Sequence, residues 1–296
     1  MNEKQSVRQY ELLLASVIAA RATSFVFSKI LLQSLTPFNL LAVRFLLAFL
    51  LLAMIFHRQL LQLDGKTFLS GVIVGTLFFM TMSFELQALR QADSSLVSLL
   101  ENCSILFVPL FEILLYRKLP DKMTVWSVLL AMAGVAALAM AQGKLTGSFG
   151  YGLLSGASYA LAILATDRLS HNTENVLGMG IIQVGTIGLL ALVFAFCFET
   201  VRLPQGAEPW SMLLILAVVC TGFGFTLQPR AQSHVSAERA GLFCAISPAV
   251  ATILGVVFLH ERLGGLSLVG LAFILFSIIL PYVVHRDHFK QQENKT

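Results

Sequence analysis

Ten apolar segments, each long enough to cross a lipid bilayer as a helix, follow one another along this chain of 296 residues. A spanning helix needs about 20 predominantly apolar residues. The segments lack the alternation of a membrane β-strand, and helices are the other structure that satisfies every backbone group in lipid. We therefore predict an all-α membrane protein with ten transmembrane helices. The predicted segments are 10–32, 37–56, 67–88, 93–116, 123–141, 150–168, 175–198, 210–229, 237–259 and 265–285.

The composition agrees with a protein that lies almost entirely within a bilayer. Hydrophobic residues make up 57% of the chain and charged residues only 12%, about half the charged fraction of a soluble domain. The net charge of +4 comes from Lys and Arg scattered through loops and termini. Membrane topology explains this distribution better than nucleic-acid binding does. We predict the lipid bilayer as a partner and no nucleic-acid partner.

The sequence contains no signature of an enzyme, a metal site or a cofactor site. There is no GxSxG, no P-loop and no nucleotide fingerprint, and His260-Glu261 is not part of an HExxH motif. The cysteines form no CxxC pair, and each lies within an apolar run. We predict no enzymatic activity, no cofactor and no metal. The four cysteines are Cys103, Cys197, Cys220 and Cys244.

The Lys and Arg residues in the loops, in the termini and at the segment ends predict the orientation of the chain. With a cytoplasmic N-terminus, thirteen of these residues fall on the cytoplasmic side and four on the far side. This is a strong positive-inside bias. Arg21, Lys29 and Arg44 lie within segments and are left out of the count. We predict a multi-pass protein of the plasma (inner) membrane with both termini in the cytoplasm.

The fourth segment carries two carboxylates and a proline within an apolar run. A charge at membrane depth costs at least a few kcal/mol, so such groups usually face a protein interior or a wet cavity. Pro109 lacks an N–H and frees the carbonyl of Ile105, which predicts a kink suited to a gate. A polar stripe suggests the wall of a solute path, and the alternative is a helix–helix contact that only stabilises packing. The stripe contains Ser94, Ser98, Glu101 and Glu112.

The two halves of the chain share a pattern at a shift of 144 residues. Residues 95–140 and 239–284 both have small and polar residues first, then apolar residues, a charged turn and a helix rich in Gly or Ala. We predict two domains, 1–143 and 144–296, of five helices each. Because five is odd, the second copy inserts upside down, as in many secondary transporters, which bind substrate where the halves meet.

Several motifs resemble the EamA branch of the drug/metabolite transporter superfamily. They are SFVFSKILLQSLTPFNLLAVRFLLAFLLL at 24–52, LLYRKLP at 114–120, SPAVATILG at 247–255 and VVFLHERL at 256–263. The resemblance covers nearly the whole chain. It implies ten helices, cytoplasmic termini, a pseudo-two-fold axis in the membrane plane, and a central cavity lined mainly by helices 1, 3, 4, 6, 8 and 9.

Arg21 is the most distinctive candidate for binding a substrate. The chain has Arg21-Ala22 where the family often has a Trp-Gly pair, so a cation at this position suggests a different substrate. Arg21 needs an anion, and the options are Glu101, Glu85 and a substrate carboxylate. A permanent structural Arg–Glu pair is the alternative. We expect Lys29 and Arg44 to extend to the membrane interface.

The predicted site also includes polar and aromatic residues of other helices. Gly71-xxx-Gly75 and Gly152-xxx-Gly156 predict close helix contacts. We assign coupling or gating to Glu85, Pro109 and Pro248. The predicted substrate-binding residues are Arg21, Ser24, Ser28, Phe79, Met82, Ser98, Glu101, Asn102, Tyr159, Gln228 and Phe243.

These features together predict a secondary transporter that works by alternating access without ATP. Its substrate would be an amino acid or a related small polar metabolite, moved in the export direction by a monomer or a homodimer. Glu101 and the phenylalanines leave a second substrate class open, a lipophilic or quaternary cation. An intramembrane enzyme or a scaffold without transport is the third hypothesis, although the isolated Glu, His and Cys residues lack the spacing that catalysis needs.

Overall fold

The computed structural model is all-helical over the residues that it describes, which are 3–116, 122–141, 147–170, 173, 175–225, 246–261 and 264–293. A π-helical segment, Leu216–Phe223, directly continues α10. The helices are α1 (Glu3–Leu31), α2 (Pro37–Ile55), α3 (His57–Leu60), α4 (Gly65–Leu89), α5 (Ser94–Asn102), α6 (Ser104–Tyr116), α7 (Lys122–Ala141), α8 (Gly147–Ser170), α9 (Val176–Phe198), α10 (Ala207–Ile215), α11 (Ile246–Leu259) and α12 (Gly265–Glu293).

Among the described residues, six helical stretches are long and apolar enough to cross a membrane, and four shorter apolar helices accompany them. Each of the ten predicted segments overlaps one of these stretches. Residues 237–245 of the ninth predicted segment lie outside the described residues. The six long stretches are Gln9–Leu31, Pro37–Ile55, Gly65–Leu89, Ser94–Leu114, Gly147–Ser170 and Val176–Phe198, and the four shorter ones are Val125–Leu138, Ala207–Phe223, Ile246–Leu259 and Gly265–Ser277.

The structure differs from the predicted elements in two respects. The fourth segment is interrupted at Cys103, between α5 and α6, and not at Pro109, which lies inside α6. The interruption packs closely against Gly156 of α8, where an added Cβ would lie 2.6 Å from the carbonyl oxygen of Leu100. The eighth segment contains the π-helical stretch, a rare conformation that often marks functional sites.

The main helix pairs join the first half of the chain to the second. Both predicted small-residue contacts are present, one in the pair of α4 with α9 and the other between α8 and α5. An added Cβ on Gly71 or Gly75 of α4 would lie 2.7 Å from Ile182 or Thr186 of α9. An added Cβ on Gly152 of α8 would lie 2.5 Å from Leu100 of α5. Small residues let these backbones approach closely, as they do between helices in lipid. The principal pairs are α7 with α12, α4 with α8, α4 with α9, α2 with α9, and α1 with α11.

Candidate substrate site: a buried ionic cluster

Four charged side chains from four helices meet inside the bundle. Arg21 is on α1, Arg44 on α2, Glu85 on α4 and Glu101 on α5. Each carboxylate interacts electrostatically with at least one of the two arginines. We call these four residues the ionic cluster. Arg44, Glu85 and Glu101 are buried, whereas Arg21, taken as a whole residue, keeps some exposed surface.

Arg21 is held by an aromatic ring, a phenol and the two carboxylates. Its guanidinium carbon lies 4.6 Å from the centroid of the Phe225 ring, a cation–π distance. Its side chain is hydrogen-bonded to that of Tyr159, and both carboxylates of the cluster attract it. Gly224 leaves room for it, since an added Cβ there would lie 2.7 Å from Cγ of Arg21. The predicted candidates Arg21, Glu101 and Tyr159 are therefore brought together.

Arg44 is among the most deeply buried large side chains of the described residues, and our expectation that it extends to the interface is wrong. Its Nε donates a hydrogen bond of 2.9 Å to Oγ1 of Thr221 in the π-helical segment. Its guanidinium carbon lies 5.1 Å from the Phe45 ring centroid, and Glu85 attracts it. A buried charge must be compensated, and the Glu85 carboxylate and the Thr221 hydroxyl do this within protein.

The carboxyl groups of Glu85 and Glu101 lie close enough to interact electrostatically. The Ser155 hydroxyl of α8 donates a long hydrogen bond of 3.5 Å to Oε2 of Glu101. Oε1 of Glu85 has no hydrogen-bond partner within the described residues. The cluster can therefore offer a guanidinium to a carboxylate, and a carboxyl pair to an ammonium group or a proton.

The predicted serines are buried near the cluster, on α1 and α5. Ser24 is 7% exposed, and Ser28 and Ser98 are fully buried. The hydroxyls of Ser28 and Ser98 have no hydrogen-bond partner within the described residues. Nδ2 of Asn102, by contrast, donates a hydrogen bond of 2.8 Å to the carbonyl oxygen of Ser98 within its own helix.

The remaining predicted residues are less closely connected with the cluster. Phe79 and Met82 are buried in the main apolar core, and the Phe79 ring centroid lies 5.0 Å from that of Phe194. Pro248 is buried in the described part of α11, and Pro109 lies inside α6. Gln228 and Phe243 lie outside the described residues.

A second polar site, which we did not predict, lies where α1 and α11 end and α5 begins. The Glu261 carboxylate accepts hydrogen bonds from the backbone N–H of Ser94 at 2.6 Å and of Ser95 at 3.2 Å, and from both serine hydroxyls at 2.7 Å. Lys29 donates to the same carboxylate at 3.2 Å and to Asp93 at 3.3 Å. We call Lys29, Ser94, Ser95 and Glu261 the clasp. Lys29 is thus paired, and its side chain is 24% exposed, so our expectation that it extends to the interface stays a prediction.

The local chain directs Glu261 toward the start of α5. His260 has a positive φ of 54°, and the N–H of Glu261 donates a hydrogen bond of 3.1 Å to the carbonyl oxygen of Gly255 in the preceding helix. An added Cβ on Gly255 would lie 2.5 Å from Oε2 of Glu261 and 2.8 Å from Oγ of Ser94. The sequence signal was the pair Ser94-Ser95 at a helix start, because free N–H groups there attract an anion.

The hydrogen bonds of the clasp keep Glu261 ionised. Burial alone would raise the pKa of this carboxyl group. The hydrogen bonds from Ser95 and Ser94 and the charge of Lys29 outweigh burial, so the pKa lies below its usual value. Glu261 is 8% exposed, and it acts as a fixed negative charge that joins α1, α5 and α11.

Glu199 caps a second helix of the first half in the same way. Its carboxylate accepts hydrogen bonds from the N–H groups of Phe38 and Asn39 at the start of α2, at 3.1 and 3.0 Å. The Thr36 hydroxyl and the Asn39 amide also donate to it. In both caps a carboxylate from the second half of the chain stabilises a helix start in the first half.

Apolar helices of membrane-spanning length, packed around a buried cluster of charges, define the class of protein: a multi-pass membrane transporter. A relative in Archaeoglobus fulgidus, named an uncharacterized transporter, is 29% identical over 264 residues, which cover 85% of this chain and 89% of the relative. The uncharacterized transporter YetK of Bacillus subtilis is 25% identical and covers 96% of this chain and 90% of its own length.

The family follows from a sequence model that matches most of the chain. The model of the EamA-like transporter family matches twice, at residues 9–140 and 148–283. This chain therefore belongs to the EamA-like transporter family, whose members are transporters and not enzymes. A protein of known crystal structure has the same fold, with a TM-score of 0.68 at 18% identity over 94% of this chain and 99% of that chain.

Proposed function

We propose that this chain is a secondary transporter that exports amino acids or related small polar metabolites by alternating access. The ionic cluster is the observation that carries the proposal. Two arginines and two carboxylates at membrane depth are costly to bury, and charged groups in membrane segments commonly mark substrate paths or proton relays. Arg21 binds the substrate carboxylate, and the Glu85–Glu101 pair receives its ammonium group or a proton.

The partial exposure of Arg21 favours a binding role for the cluster. A charge with a purely structural role is usually enclosed and compensated within protein, as that of Arg44 is. Arg21 as a residue keeps some exposed surface, and its guanidinium lies against Phe225 and Tyr159. A carboxylate that approaches this guanidinium forms a charge-assisted hydrogen bond, which is roughly twice as strong as a neutral one.

We further propose ten spanning helices in two inverted repeats, 1–143 and 144–296, with both termini in the cytoplasm and the chain in the inner membrane. The two separate family matches are compatible with this division. The helix pairing supports a two-fold relation, since α1 packs on α11 as α5 packs on α8, and α4 packs on α9 as α2 packs on the π-helical segment. Alternating access then rocks one repeat against the other, as a monomer or a homodimer.

A lipophilic or quaternary cation is the second candidate substrate. The rings of Phe225 and Tyr159 lie 5.4 and 5.9 Å from that of Phe78, close to the two carboxylates. Aromatic faces and a carboxylate are the groups that bind such cations. Arg21 and Arg44 in the same cluster oppose a cationic substrate, so we rank amino acids first. An enzymatic or scaffold role has no comparable support.

Uptake into proteoliposomes tests the proposal. The purified chain alone is reconstituted and given labelled amino acids, organic cations and phosphorylated compounds in separate assays. We expect saturable uptake of at least one amino acid without ATP. Saturable uptake of cations alone would establish the second candidate, and no uptake across the whole panel would reject transport of these classes.

A further inference from the structure

Three hydroxyl groups without partners lie just below the clasp, one on each helix that the clasp joins. Ser28 is on α1, Ser98 on α5 and Thr252 on α11. Ser28 and Ser98 are fully buried and Thr252 is 8% exposed. None of their hydroxyls has a hydrogen-bond partner within the described residues. Buried polar atoms are nearly always satisfied, so three such exceptions in one region need an explanation.

Helix geometry places the three hydroxyls between the clasp and the ionic cluster. Ser98 lies one turn, about 6 Å, inward from Ser94 on the same face of α5, and Glu101 follows one turn further. Thr252 lies one turn inward from Gly255, the residue that contacts both Glu261 and Ser94. On α1, Ser28 adjoins Lys29 and shares a face with Arg21.

The three helices pack on one another. α1 contacts α5 and α11, and α5 contacts α11. Along this seam the order is therefore the clasp at the end, then the three hydroxyls, then the ionic cluster. Hydroxyls that lack protein partners are suited to bind water or a small polar solute that enters when the helices separate.

We propose that the seam of α1, α5 and α11 is one half of the transport path and that the clasp is the gate at its outer end. The proposal rests on the transport function given above, and "outer" rests on the cytoplasmic termini. In the closed state Glu261 holds the start of α5 against the ends of α1 and α11. Opening breaks the hydrogen bonds of Glu261 and exposes Ser98 and then Glu101 to the outside.

Cysteine accessibility tests the gate without knowledge of the substrate. Ser98→Cys is introduced, and whole cells are treated from outside with a membrane-impermeant methanethiosulfonate reagent, with the unsubstituted chain as the blank. We expect slow labelling with an intact clasp. Glu261→Gln should raise the labelling rate by about tenfold or more, because the charge-assisted hydrogen bonds that hold the closed state are weakened.

Two controls have matched chemistry. Glu199→Gln removes the charge from the cap of α2 and should leave Ser98→Cys labelling unchanged. Ser127→Cys places a thiol on α7, which packs on α12, at another buried serine whose hydroxyl has no partner in the described part of the chain, and its labelling should not respond to Glu261→Gln. Lys29→Gln provides a milder opening variant, since Lys29 is 24% exposed and forms only one side of the clasp.

The outcomes separate the gate from the transport function. Faster labelling in Glu261→Gln and Lys29→Gln, but not in Glu199→Gln, supports the gate even if no substrate has been found. Unchanged labelling in both clasp variants, with protein that elutes as a single folded species, overturns the gate even if uptake is measured. An equal rise in Glu199→Gln would also overturn it, because any weakened helix cap would then open the bundle. If Glu261→Gln does not fold, the labelling rate of Ser98→Cys in the Lys29→Gln background alone decides whether the clasp is a gate.

Discussion

Arg44 and Glu85 are both buried, and their charges lie close enough to attract each other. Removing one partner of such a pair leaves an unpaired buried charge and costs about 3–5 kcal/mol. We expect Arg44→Met to lower the free energy of unfolding by about this amount, measured by thermal or denaturant unfolding in detergent. Arg44→Met with Glu85→Gln should recover much of the loss, because no unpaired charge then remains at these two positions. A double variant no more stable than Arg44→Met would contradict the pairing.

Gly224 sets the position of Arg21. An added Cβ would lie 2.7 Å from Cγ of Arg21, in the middle of the side chain, so Gly224→Ala must displace the guanidinium from Phe225 and Tyr159. We expect substrate uptake to fall about tenfold, the size of one lost cation–π contact or hydrogen bond. Gly180→Ala is the control, since the nearest atom to its added Cβ is 3.7 Å away, an ordinary contact. Equal uptake by the two variants would show that the position of Arg21 is unimportant.

The candidate site could be predicted only in part at the level of residues. Arg21, Glu101 and Tyr159 were found because a polar group in an apolar segment is visible in the sequence. The burial of Arg44 was missed because the sequence does not show that Thr221 and Glu85 lie beside it. Phe79 is an aromatic residue of the kind that lines binding sites, but it packs within the apolar core.

At the scale of elements, Gly156 permits the contact between α8 and the break between α5 and α6. An added Cβ there would lie 2.6 Å from a backbone oxygen, so we expect Gly156→Ala to cost about 1–3 kcal/mol of stability, as overpacking does. Gly150→Ala on the same helix meets nothing within 4 Å and should gain up to about 1 kcal/mol from helix propensity. Thermal unfolding of both variants measures the difference, and a loss of equal size in the two would refute the close contact.

The helices were more predictable than their irregularities. Apolar length and glycine spacing are local properties, and they indicated the spanning stretches and the contacts of α4 and α8. The break at Cys103 and the π-helical segment arise from packing between elements. The sequence instead drew attention to Pro109, whose missing N–H is a local cause of a kink.

At the scale of the whole molecule, the clasp makes the stability of the folded protein depend on pH. The pKa of Glu261 is lower in the folded protein than its usual value of about 4.3, so its stabilisation is complete above that value and is lost as pH falls through the folded pKa. We expect the melting temperature to fall below about pH 4 with a component that Glu261→Gln lacks. Melting curves of both proteins, recorded between about pH 3 and pH 7, measure this dependence on pH. Parallel pH profiles of the two proteins would contradict a depressed pKa.

The clasp also shows why the sequence could not reveal the assembly of the two halves. Lys29 and Glu261 are 232 positions apart, and neither residue has a neighbour in sequence that indicates the other. The two-fold pattern of the sequence predicted that the halves meet, but not which charges join them.

Uptake by variants of the ionic cluster tests the central claim, that this cluster binds the transported solute. Proteoliposomes with Arg21→Ala, Glu101→Gln and Glu112→Gln are compared with the unsubstituted chain, using an amino acid that the unsubstituted chain transports. Glu112 is the matched control, since it lies on α6 beyond the break at Cys103 and is only partly buried. We predict that Arg21→Ala and Glu101→Gln abolish saturable uptake and that Glu112→Gln retains it. Uptake by folded Arg21→Ala and Glu101→Gln at the unsubstituted rate would contradict the claim.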